Sequence, residues 1–173
     1  MSANPANDFV AQLCPNCGLC CNGVLFADVQ LQKEDDIRRL VELGVVVKSK
    51  ARRPAFLQPC ACFDGKLCRI HAERPKQCRA FECGLLRRVQ AGEMDADDAR
   101  QRIAGARRRV ETVLELLRRL GDRNETLALT KRYARVMRQA IDLAGPAKAA
   151  AGRGELMLAV DNLMHVLHQD FLK

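Results

Sequence analysis

The sequence predicts a mainly α protein in two parts. Residues 1–91 form an irregular, cysteine-rich module with little β. Residues 92–173 form a helical hairpin plus a third helix, packed on that module or continuous with it. Three observations carry this. All nine cysteines lie between Cys14 and Cys83. Beyond Gly92 there is none, and apolar residues recur at alternating spacings of three and four, the mark of amphipathic helices. Between Cys60 and Cys83 no period holds, as expected of a loop-rich segment organised around ligands.

The elements follow in order. "VLFADVQL", residues 24–31, partly alternates and suits a strand. "QKEDDIRRLVELG" spaces Ile37, Leu40, Val41 and Leu43 as a helix, with Glu34, Asp35 and Asp36 expected in its first turn and Gly44 as its stop. "VVVKSKARRPAFLQPC" reads as extended segments around a basic loop. The first long helix is expected over about 95–120, striped by Ile103, Ala106, Val110, Val113, Leu117 and Leu120 and stopped by Gly121. The second is expected over about 124–144, capped by Asn124, with Leu129, Tyr133, Val136, Met137, Ala140, Leu143 and Ala144 on one face and "GPAKAAAGRG" ending it. The third is expected over about 154–172, carrying Leu156, Val160, Leu163, Met164, Leu167 and Phe171.

Composition narrows the function. Apolar residues make up 48% of the 173, with no Trp, so the core rests on aliphatic side chains. No apolar run reaches the roughly 20 residues of a membrane span. The first residues lack the basic and apolar regions of a secretory signal, so a cytoplasmic protein with reduced thiols is expected. There, clustered cysteines serve metal or redox chemistry rather than disulfides. The formal charge is +8, from 29 basic and 21 acidic residues. Eight metal-bound thiolates would offset such an excess, so the charge alone does not call for nucleic acid. Arg107, Arg108 and Arg109 lack interleaved aromatics and read as a solvated face.

The cysteines are spaced C-x2-C-x2-C-C, then 38 residues, then C-x-C-x5-C-x9-C-x4-C. Two cysteines flanking two residues share a tight turn and grip one metal, as in four-cysteine zinc sites. Three at successive intervals of three, with a remote fourth, also suit the corners of a [4Fe–4S] cube. Cys14, Cys17 and Cys20 form such a grip. Their neighbour Cys21 does not easily share that corner geometry; it faces a second site or serves as a spare thiol. Cys60, Cys68, Cys78 and Cys83 supply the remote ligands, and Cys62 is the odd one out. His71, three residues after Cys68, is within reach of the site. His165, His168 and Asp161 share a helix face that reads as solvated. Arg74 and Arg79 flank Cys78 and suit charge compensation of thiolates or sulfide. Pro75 fixes a turn that aims Cys78.

"CPNCGLCC" followed by "PCACFDGKLCRIHAERPKQCRAFEC" resembles the YkgJ-type cysteine-cluster (CxxCxxCC) family, a zinc- or iron-chelating domain. The matching positions are Cys14, Cys17, Cys20, Cys21, Cys60, Cys68, Arg74, Pro75, Cys78 and Arg79. The chain departs from the family's usual pattern at Cys62, where an aromatic is common, and at His71, where Tyr is. The resemblance covers about residues 14–86 and implies metal chelation. A flagellin lysine N-methylase carries a similar cluster, but no Gly-rich methyl-donor loop follows a strand here. The expectation is a metal-binding protein holding an iron–sulfur cluster, favoured as [4Fe–4S], or zinc, with redox activity as one use. The alternatives are a zinc-stabilised binding module for a protein or nucleic acid, and an Fe–S-dependent enzyme of unknown substrate.

Overall fold

The computed structural model describes residues 13–14, 16–48, 53–139 and 147–173. It is mainly helical. Six α-helices accompany a three-stranded antiparallel sheet among the described residues. The strands are short: β1 is Asp28–Gln30, β2 Val47–Lys48 and β3 Ala55–Leu57, in the order β1-β3-β2. Phe56 pairs with Val29 on one side and Val47 on the other. The expected strand over 24–31 is thus confined to three residues. Val24 instead packs into the helical core.

Helix α1 spans Ile37–Glu42, and Asp36 caps it by accepting the Arg39 N–H at 2.9 Å. The acidic residues do not occupy the first turn as expected; they precede the helix. Asp35 accepts the backbone N–H groups of Gln32 (2.8 Å) and Lys76 (2.7 Å), and Glu34 pairs with the Lys76 ammonium at 3.0 Å. Their role is to fasten α2, Lys76–Ala80, which carries Cys78. Helix α3 follows at Gly84–Gln90.

Helix α4 spans Ala96–Arg119, close to its expected limits. Asp95 caps it through the Asp98 N–H at 2.8 Å. Helix α5 is shorter than expected, at Leu129–Arg138. Asn124 does not cap it: its side-chain oxygen holds the N–H and hydroxyl of Thr126 in a local turn. The start is set from outside, where the Leu129 N–H donates to Gly23 O at 2.9 Å. Ala140, Leu143 and Ala144 fall outside the described residues. Helix α6 begins earlier than expected and spans Ala147–Leu167, followed by a π-turn at His168–Leu172. Of the glycines expected to end the preceding helix, Gly152 and Gly154 sit inside this one, and Gly145 lies outside the described residues. A Cβ on Gly152 would meet Leu120 Cδ2 at 3.2 Å, so the missing side chain lets α6 lie close to the end of α4.

Two apolar clusters result. The larger joins α3, α4, α5 and α6 through Leu85, Ile103, Val110, Val113, Val136, Leu156, Leu163 and Phe171, and draws in Leu13, Leu19 and Val24 from the cysteine-rich half. The smaller surrounds the sheet with Val29, Leu31, Leu40, Val45, Phe56, Cys60, Cys62 and Ile70. No helix among the described residues is long and apolar enough to cross a membrane.

Candidate metal centre

The turn between Cys17 and Cys20 is shaped by its two non-cysteine residues. Gly18 has φ +73°, and a Cβ there would lie 2.5 Å from Phe63 Cζ. Its carbonyl accepts the N–H groups of Cys21 and Asn22, both at 2.9 Å, which closes the turn. Leu19 is fully buried in the helical core. The loop is therefore pinned inward by Leu19 while the flanking sulfurs face sideways.

The remote cysteines come from separate anchors. The Cys60 N–H donates to Cys21 O at 2.8 Å, which joins the two halves of the cysteine set directly. A turn held by Asp64, through the N–H groups of Lys66 (2.8 Å) and Leu67 (2.7 Å), brings Cys68 opposite Phe63. Cys78 rides on α2. Cys83 stands at the start of α3, where its Sγ accepts the Leu86 N–H at 3.5 Å.

The sulfurs ring two adjoining cavities rather than converge on a point. Among the described residues no three His, Cys, Asp or Glu side chains form a ready metal cage. One cavity, of about 40 Å³, is lined by Cys14, Cys17, Cys20, Cys21 and Cys83. The other, of about 140 Å³, is lined by Cys14, Cys20, Cys21, Cys60, Cys68 and Cys78. Its far wall is apolar: Phe26, Val29, Phe56, Ile70 and Phe81, with the rings of Phe26 and Phe81 edge to face at 4.9 Å.

Electrostatics divides the thiols further. Burial pushes Cys17 up to about 12, and charge on Cys83 or Cys14 adds to this. Burial, then Cys17, Cys14, Cys83 and Cys78, raises Cys20. Cys21 is raised by its hydrogen bond to Cys68, by burial, and by the charges of Cys68, Cys20 and Cys60. Cys68 is lowered, through the Cys21 hydrogen bond, the Ile70 N–H and the Arg74 guanidinium. Burial raises Cys60 to about 11 and Cys78 to about 12, and Cys68 adds to both. The leading couplings thus draw Cys14, Cys17, Cys20 and Cys83 together, and Cys21, Cys60, Cys68 and Cys78 together. The sets touch at Cys20, which also feels Cys78 and acts on Cys21, and Cys14, Cys20 and Cys21 line both cavities.

The remaining candidates separate. Arg74 lines the larger cavity; its Nε donates to His71 O at 2.8 Å and one terminal nitrogen lies 3.8 Å from Cys14 Sγ. Arg79 is exposed and lines neither cavity. His71 is lowered by burial and by Arg74, and its Nε2 is buried without a hydrogen-bond partner. Cys62 is fully buried, with its S–H 3.4 Å from Leu43 O. His165, His168 and Asp161 are all exposed. Two contributions escaped the sequence reading. Arg107, taken with its neighbours as a solvated face, is half-buried and lowers the Cys17 thiol. Gln58 lines the larger cavity at 3% exposure, and no periodicity or motif singles it out.

The donor set fits a soft or borderline metal. Sulfurs line both cavities, and backbone N–H groups of Leu19, Leu86, Cys62 and Ile70 already reach Cys17, Cys83, Cys60 and Cys68. Neither a curated protein nor a solved structure matches the chain. Residues 13–101, just over half of it, match one family. The chain belongs to that CxxCxxCC family, described as a "Putative zinc- or iron-chelating domain".

Proposed function

We propose that the protein holds two metal centres through eight cysteines, one by Cys14, Cys17, Cys20 and Cys83 and the other by Cys21, Cys60, Cys68 and Cys78. The observation that supports the reading is the pattern of leading couplings, which draw Cys14, Cys17, Cys20 and Cys83 together and Cys21, Cys60, Cys68 and Cys78 together, with Cys20 touching both sets. Iron–sulfur is favoured over zinc for two reasons. Cys14, Cys17 and Cys20 with a remote Cys83 have the spacing a [4Fe–4S] cube uses. The space of about 140 Å³, which Cys14 and Cys20 line together with Cys21, Cys60, Cys68 and Cys78, also suits an inorganic core, which needs room between thiolates that a single zinc ion does not. Such a centre suits electron transfer or redox sensing. Arg74 and Arg107 supply positive charge beside it.

Zinc in both sites is the second reading, favoured by the four-thiolate count at each. Elemental and sulfide analysis after anaerobic purification separates the two. A brown protein with iron and acid-labile sulfide is expected. A colourless protein with two zinc ions per chain selects the second reading, and a metal-free, folded protein overturns both.

A further inference from the structure

Gln58 holds a position that the two-centre reading does not use. It ends the loop side of β3, two residues before Cys60, and its backbone N–H is fixed on Ala27 O at 3.0 Å. It lines the larger cavity together with Cys21, Cys60, Cys68 and Cys78. The side-chain oxygen is buried and has no hydrogen-bond partner. A buried, unpaired amide oxygen is destabilising, and native structures keep few of them. Two other polar side chains of the cavity are engaged. Arg74 bonds to His71 O and approaches Cys14, and the Gln77 oxygen accepts from Gln32 Nε2 at 3.1 Å. Asp28, also in the lining, carries only oxygens, so Gln58 is the side chain there that combines a buried, unpaired oxygen with N–H donors.

What fills that cavity on the proposed reading is a cluster of thiolates, with or without sulfide, around metal. Such a core is rich in negative sulfur and short of donors. Backbone N–H groups reach Cys68 and Cys60 from Ile70 and Cys62. A carboxamide carries an oxygen on one side and two N–H donors on the other, and a half-turn about its last bond exchanges them. Resting on the two-centre reading, we propose that Gln58 is a positioning residue of the second centre. When the metal is bound, its side-chain N–H groups donate to the sulfur atoms held by Cys21, Cys60, Cys68 and Cys78. Without metal the same carboxamide is left with its oxygen unpaired. Gln58 therefore stabilises the loaded state at the expense of the empty one.

The test uses the full-length chain carrying the metal it holds on anaerobic purification. Wild type, Gln58→Leu and Gln58→Glu are titrated with EDTA, and the metal lost per chain is measured. Gln58→Leu is expected to release the metal of one centre at roughly 10-fold lower chelator concentration, the scale of outer-shell losses. The other centre should release its metal as in the wild type. Gln58→Glu keeps the shape but offers only acceptors, and should release more readily still. In the metal-free state Gln58→Leu should melt at or above the wild type, because the unpaired oxygen is gone. A donor-free Gln58→Leu that titrates like the wild type overturns the proposal, as does a Gln58→Glu that binds as tightly or more tightly. The wild type offers a reading that needs no variant to fold. On metal loading its Gln58 side-chain amide signals, followed by ¹⁵N NMR, should shift and exchange more slowly, and unchanged signals overturn the proposal. A wild type that carries no metal overturns the two-centre reading itself, a different result from equal titration of all three proteins.

Discussion

The two apolar clusters do different amounts of the folding. The larger one joins a 24-residue helix, a 21-residue helix and two shorter ones through fully buried Val113, Leu117, Leu156 and Leu163. The smaller one has strands of two or three residues and helices of five or six to stabilise. Elements that short gain little from their own hydrogen bonds, and a core that small leaves little surplus over chain entropy. The difference says where a bound metal matters. In the helical half packing suffices. In the cysteine-rich half the free energy of metal binding is folding free energy. The halves meet at Leu13, Leu19 and Val24, which lend the cysteine loop to the larger cluster.

Metal removal tests this contrast most severely, since a structural thiolate site contributes on the order of 10 kcal/mol. After chelation, far-UV circular dichroism should keep most of its helical signal. Amide exchange should lose protection in β1, β3 and the 60–83 segment, but not in α4. A single transition that removes both together would break the contrast. The metal-free state should also be sensitive to alkali. Burial holds the folded Cys17 and Cys78 thiols near 12, above their ordinary 9.0. The folded state thus keeps protons that the unfolded chain releases. Its stability is intact below about pH 9 and falls as pH rises toward 12. In the loaded protein the protons are already displaced, so its melting temperature should not fall across that range.

The next largest effect belongs to the helical half. Asp122 is buried just after α4 and accepts from Arg132 Nε of α5 at 2.6 Å, and from Arg135. Asp122→Ala strands a buried guanidinium and should cost roughly 3–5 kcal/mol in urea unfolding. Metal content should stay unchanged, because no sulfur lies among these groups. A loss of metal would mean that the two halves are less separable than their cores.

Leu19→Ala bears on the joint between them. The cavity left in the larger cluster should cost about 3 kcal/mol. Unlike Asp122→Ala, it should also weaken metal retention, because the same side chain holds the turn between Cys17 and Cys20. Equal stability loss with undiminished metal would show that the loop is held by its metal alone.

How much of this could be read beforehand depended on the range of the interactions. The limits of α4 follow from local facts, a capping Asp95 and a regular stripe, and the sequence carried both. The start of α5 follows from a hydrogen bond to Gly23, more than a hundred residues away, and nothing near Asn124 encodes it. The glycines at 152 and 154 read as breakers because their cost is local, while the close approach to Leu120 that Gly152 allows is tertiary. The cysteines were legible as a set, and Cys21 as a hint of a second group. Which remote cysteine joins which group was not, because that depends on how the 38-residue connection folds back. Gln58 and Arg107 were invisible for the same reason: each acquires its meaning only from what lies across a cavity or under a loop.

The smallest expected effect is the one that tests the ligand assignment at its closest alternative. Cys62 is two residues from Cys60, and its sulfur is as buried as any in the chain. It faces the Leu43 carbonyl within the smaller cluster, and it lines neither sulfur cavity. On this geometry Cys62 is a small apolar residue with a weak donor. Cys62→Ala should cost about 1 kcal/mol, the loss of a hydrogen bond and a little packing, with metal content unchanged. Cys60→Ala, two residues away, should cost much more and release metal. If Cys62→Ala instead released metal while Cys60→Ala retained it, the two side chains would exchange roles on loading, and the second group would be Cys21, Cys62, Cys68 and Cys78. The pair of variants therefore asks which of the two neighbouring sulfurs belongs to the second group.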